Sequence, residues 1–140
     1  MSLDHRFILL KAAEHKLEDY LLFAGASQGS RVHDDLVRYL GDSLQWVHTI
    51  NPARRNGNGY GLNLYGPTVI STEGAELAAQ IFRTWADLFR LGPETFVLTG
   101  AWCETEGISG QGHYSCVTVS RDPLVSTLDQ IAEDCHRVAV

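Results

Sequence analysis

The 140-residue sequence predicts a single α+β domain, a four-stranded antiparallel sheet made from two strand–strand–helix units and preceded by two helices. Three observations predict it. Apolar residues recur at helical spacing over 5–24 and again over 30–41. The period changes to two at Leu44. From there the order strand, glycine-containing loop, strand, helix occurs twice, over 44–91 and 95–138. The halves share element order and length but not residue identity. A pseudo-two-fold repeat and chance recurrence of a common hairpin-plus-helix unit therefore both stay open.

Each element has its own signal. Phe7, Leu10, Ala13, Leu17, Tyr20 and Leu21 form one stripe with Glu14, Lys16, Glu18 and Asp19 between them, which predicts a helix over 5–24, although His5–Leu10 also suits the start of a strand. Gly25–Gly29 breaks it. Ser30 is the expected N-cap of a second helix, with Val32, Leu36, Val37 and Leu40 as its apolar face and Gly41 in the left-handed position after its end. The helical segment 1–42 then gives way to a strand over 44–50, in which Leu44, Trp46, His48 and Ile50 alternate with Gln45, Val47 and Thr49. Asn51–Gly59 is loop by composition, and Tyr60, Leu62 and Leu64 alternate after it. Ser71 or Thr72 caps a long helix with the stripe Ala75, Ala78, Ile81, Phe82, Trp85, Leu88 and Phe89, which Gly92-Pro93 ends. In the second unit Phe96–Cys103 and His113–Val119 alternate around a loop from Glu104 to Gly112. Asp122 is the expected cap of the last helix, with Pro123 at its first position and Leu124, Leu128, Ile131, Cys135 and Val138 as its stripe.

Composition narrows the class. A chain of this length buries enough surface to fold without a disulfide or a metal. Its apolar fraction, 44%, is ordinary for a globular protein, and its formal charge of −6 argues against a nucleic-acid partner. The local positive spot is Arg54 and Arg55 in the Asn51–Gly59 loop, a candidate contact for an acidic partner. Cys103, Cys116 and Cys135 are an odd set without framework spacing, which suits a reduced, cytoplasmic protein. Phe7–Leu10 is too short for a signal peptide, and no stretch is long enough to span a membrane.

No motif fixes a reaction. Cys103, His113, Cys116, Cys135 and His136 offer zinc-type ligands, but without the tight cysteine pairs of a structural site, and the expectation is no metal and no cofactor. No cysteine stands at a predicted helix N-terminus, and there is no Gly-x-Ser-x-Gly elbow. Asn56–Gly61 joins strand to strand, so its glycines read as a hairpin and not as a phosphate loop, which leads into a helix. The element order is that of the homing endonucleases with the Leu-Ala-Gly-Leu-Ile-Asp-Ala-Asp-Gly motif, but Leu22–Ser30 lacks the metal-binding acid and the charge opposes DNA.

Two candidate surfaces follow. Trp46 with His48, and Trp102 with His113, share strand faces near the two hairpin loops, a pattern that suits a ligand pocket and equally suits core tryptophans with a satisfied histidine. The sheet face away from the helices, with Val47, Thr49, Asn63, Tyr65, Val97, Thr99, Ala101, Cys103, Tyr114, Cys116 and Thr118, is too apolar for open water, so the N-terminal helices or a second subunit should cover it. The leading expectation is a non-enzymatic binding protein that self-associates or neutralises a protein partner. A small-ligand binder and a small enzyme using cysteine or histidine chemistry are the alternatives.

Overall fold

The computed structural model describes residues 4–9, 29–52, 58–62, 67–107 and 109–139. The chain opens with β1 (Asp4–Phe7), which pairs antiparallel with β2 (Ser30–His33) so that His5 faces Val32 and Phe7 faces Ser30. The expected first helix therefore begins as a strand, and its remainder over 10–28 lies outside the described residues. Among the described residues the expected pair of N-terminal helices is not seen.

β2 runs directly into α1 (Asp34–Leu44). Its cap is His33 and not Ser30: the His33 Nδ1 accepts the Asp35 backbone N–H at 3.1 Å. Asp34 and Asp35 then place their charge against the positive end of the helix dipole. Nor does Gly41 end the helix, which continues to Leu44. Magnitudes explain the overrun. A helical glycine costs about 1 kcal/mol relative to alanine, whereas burying a leucine is worth about 1.5–3 kcal/mol, and Leu44 at 2% exposure repeats the contact of Leu40 one turn on.

That extra turn shortens the next strand. β3 (His48–Ile50) is the centre of a three-stranded antiparallel sheet, between β4 (Asn58–Tyr60) and β5 (Val69–Ile70). Its faces reverse the expected order. Val47 and Thr49 are buried, and Trp46, in the turn after α1, is 64% exposed. The buried Thr49 hydroxyl donates to the Gly61 carbonyl at 2.7 Å, while the Gly61 N–H donates to the Val47 carbonyl at 2.9 Å.

α2 (Thr72–Arg90) follows, with Ser71 in the N-cap position but its hydroxyl turned to His48 instead of capping the helix, and ends before Gly92-Pro93. Gly74 lets its first turn meet β3, because a Cβ there would lie 2.2 Å from the His48 carbonyl oxygen. α3 (Arg121–Ala139) starts one residue before the expected cap. The two helices pack on each other through Ala78, Phe82, Ala86, Leu128, Ile131 and Ala132, all at 1% exposure or less. The alanines let the helices approach, and Phe82 and Leu128 fill the space between. At the rim of this contact Arg90 reaches Asp87 and Asp129.

β6 (Thr95–Glu104) and β7 (Gly112–Ser120) form an antiparallel hairpin and a separate two-stranded sheet. Among the described residues the expected four-stranded sheet is therefore not formed. Both edges of β3 are occupied, by β4 and β5, which leaves β6 and β7 to pair with each other. The inner face of the hairpin carries Phe96, Leu98, Val117 and Val119 into the core, as the alternation predicted. A β-bulge interrupts β6. Thr99 faces Cys116 and Trp102 faces Tyr114, so Gly100 and Ala101 together oppose Ser115. Gly100 also makes room for α1, since a Cβ there would stand 2.3 Å from Ser115 Oγ and 3.1 Å from Asp35 Oδ1.

Candidate functional site

The four aromatic and imidazole residues singled out in the sequence do not converge. Trp46 and His48 belong to the β3 region, and Trp102 and His113 to the hairpin, and among the described residues no strand of one sheet pairs with a strand of the other. Trp102 and His113 do not share a face either. One extra residue in the bulge turns Trp102 to the side of Tyr114, against whose ring it packs edge-on at a centroid distance of 4.9 Å, while His113 faces Cys103 on the other side. Arg54 and Arg55 lie outside the described residues.

His48 is tied to the start of α2. Its Nδ1 is 3.0 Å from Ser71 Oγ and 3.5 Å from Glu73 Oε2, and its ring meets Tyr60 edge-on. Serine and carboxylate approach the same ring nitrogen. A nucleophile–base–acid relay needs them on opposite nitrogens, so this cluster anchors β3 to α2 without forming one.

A second polar cluster was not singled out in the sequence. Asp34 accepts from His5 Nε2 at 2.8 Å and from Arg38 Nε at 2.8 Å, which joins β1 to α1. The hydrogen bond from His5, seconded by Arg38, holds the Asp34 carboxyl below the usual carboxylate range against the opposing effect of burial. The Asp34–Arg38 pair is legible as an i,i+4 spacing; the contribution of His5, 29 residues away, is not.

The thiols divide by position. Cys135 is buried in the α3 stripe, and burial, with Asp134 beside it, pushes its pKa up to about 11. Such a thiol packs as a small apolar residue and is a poor nucleophile. Cys103 and Cys116 are exposed on β6 and β7. Among the described residues no three His, Cys, Asp or Glu side chains are gathered to hold a metal ion. The groove between α2 and α3 is lined by Arg83, Arg90 and Arg121, and each is already paired with an acid, so among the described residues it offers an anion no free cation. No described helix is long and apolar enough to cross a membrane.

What stands out is the outer face of the hairpin. Register and bulge bring Val97, Thr99, Trp102, Tyr114, Cys116 and Thr118 onto one side of β6 and β7. The large members are open to solvent, Val97 at 57%, Trp102 at 46% and Tyr114 at 56%. Within the two strands the ionised side chain is Glu104, at the loop end of β6, and β7 has no Asp, Glu, Lys or Arg. Among the described residues neither strand has a second hydrogen-bonded neighbour. Comparison with protein-family models, with curated proteins and with solved structures finds no match for this chain.

Proposed function

We propose that the protein is a non-enzymatic binding module that works by protein–protein contact through the outer face of the β6–β7 hairpin. One observation carries this reading: a long hairpin leaves a valine, a tryptophan and a tyrosine exposed together on a face whose ionised side chain, Glu104, stands at its loop end. Contiguous exposed apolar surface of this kind marks interaction sites, and aromatic residues are the side chains that interfaces favour. The edges support it. Proteins keep free strand edges apart with lysines, prolines and very short strands; β6 and β7 run for 10 and 9 residues with no lysine, arginine or proline. The polar clusters at His48 and Asp34 serve packing, which removes the best geometric support for catalysis.

The reading is tested by photo-crosslinking in cells, with a benzophenone amino acid placed at Val97 or, as a control, at Glu76 on the exposed side of α2. A discrete adduct from position 97 and none from position 76 is expected. Absence of an adduct at 97, or equal adducts at both positions, overturns the proposal.

A further inference from the structure

We infer that the partner of the hairpin is a second copy of this chain, joined along the free edge of β7 so that two hairpins make one four-stranded antiparallel sheet across a two-fold axis. This rests on the reading of the hairpin as a binding module and names the occupant of its β7 edge; the outer face that carries Val97 stays open.

The choice of edge comes from regularity. β6 is broken by the bulge at Gly100–Ala101, where α1 also stands close through Asp35. Bulges turn an edge away from further pairing. The nine residues of β7 contain no proline, and no bulge interrupts their side of the register. A two-stranded ribbon is marginal in water, and further strands with a common apolar face are what stabilise one.

The choice of occupant comes from charge and symmetry. Two chains with a formal charge of −6 repel each other over most of their surfaces. β7 has no ionised Asp, Glu, Lys or Arg, so identical copies meet there at least electrostatic cost. A basic partner gains nothing from such a strand and belongs on the acidic helices instead. A two-fold axis beside β7 also makes the pairing antiparallel automatically, with residue i against j and j against i. In the register that pairs the whole strand, its middle residue, Cys116, faces the partner subunit's Cys116, and Tyr114 faces the partner subunit's Thr118. The exposed faces of the two hairpins then run together into one, and tyrosine–threonine pairs flank the axis.

Cys116 makes the arrangement testable. Facing residues on antiparallel strands have Cα atoms about 4.5–5.5 Å apart, within the span of a disulfide. With Cys103→Ser, Cys116 is the remaining exposed thiol; with Cys116→Ser, it is Cys103. Oxidation with diamide should link the Cys103→Ser chain into a covalent dimer and leave the Cys116→Ser chain single. The reverse pattern, or no dimer from either, overturns the arrangement. In sedimentation, the unmodified chain should have twice the mass of 15.5 kDa at tens of micromolar, and Cys116→Lys should halve it with an unchanged circular dichroism spectrum. A single-chain mass combined with a Val97 photo-adduct to another protein overturns the second copy but leaves the binding reading intact. A single-chain mass with no adduct overturns both.

Discussion

Two glycine-to-alanine substitutions, both in helices, should move stability in opposite directions. At Gly74 a Cβ would stand 2.2 Å from the His48 carbonyl oxygen and 3.1 Å from that residue's backbone N and C. Those are backbone atoms of a paired strand, so relief requires α2 to withdraw from β3 by about 1 Å. Overpacking of this kind costs about 1–3 kcal/mol, and withdrawal also stretches the bond from Ser71 to His48. Against it stands the preference of a helix for alanine, about 1 kcal/mol in a helix interior and less in the first turn, where Gly74 sits. The steric term wins, and Gly74→Ala should destabilise by about 1–2 kcal/mol. Gly41 has nothing within 4 Å of its Cβ position and lies inside α1. There the propensity acts alone, and Gly41→Ala should stabilise by about 1 kcal/mol. At about 3 °C per kcal/mol for a domain of this size, thermal denaturation should place the two variants several degrees either side of the parent. If Gly74→Ala melts above the parent, as Gly41→Ala should, the close seating of α2 on β3 is wrong.

Three further outcomes follow from the core and the polar clusters. Phe82→Ala, which empties the space between α2 and α3, should cost about 3–5 kcal/mol in urea denaturation; a loss below about 1 kcal/mol contradicts the packing of that helix pair. Asp34→Asn should cost about 2 kcal/mol near neutral pH, since two charge-assisted bonds are weakened. Because the folded-state pKa of Asp34 is depressed, its contribution is complete above the unfolded value of about 4 and is lost as the pH falls through the folded value. The difference between parent and Asp34→Asn should therefore shrink on acidification, and a difference that grows reverses the assignment. With its pKa raised to about 11, Cys135 should resist iodoacetamide at pH 8 while Cys103 and Cys116 react. Mass spectrometry showing three alkylated thiols in the folded chain would speak against a buried Cys135.

Legibility in the sequence followed the range of the forces involved. α2, α3 and both strands of the hairpin were readable because their apolar period runs over many residues and their ends carry local signals, such as Gly92-Pro93. The N-terminal elements were not. Ser30 resembles a cap, but Val32 is drawn into the core from a strand that pairs with residues far away in the chain, and no local signal reports that pairing. The face of Trp102 was misread for a related reason: alternation is carried forward residue by residue, and a bulge of one residue inverts everything after it. Gly100 was the available clue, since glycine inside a strand pattern often marks a bulge. Of the half-apolar face that had no cover in the sequence, Val97, Thr99, Tyr114, Cys116 and Thr118 stand open together on the hairpin, the bulge takes Ala101 out of register and turns Cys103 to the other side, Val47 and Thr49 proved to be core, and Asn63 and Tyr65 lie outside the described residues.

The β7 edge itself can be observed by hydrogen exchange with the concentration of the chain as the variable. In β7, the backbone N–H groups that point away from β6 have no strand partner among the described residues of one chain. At tens of micromolar these alternate amides of Gly112–Ser120 should exchange slowly, and dilution below the dissociation constant should release them, while the amides bonded to β6 keep their protection. Equally fast exchange of the outward amides at every concentration would contradict an edge that pairs with its own copy.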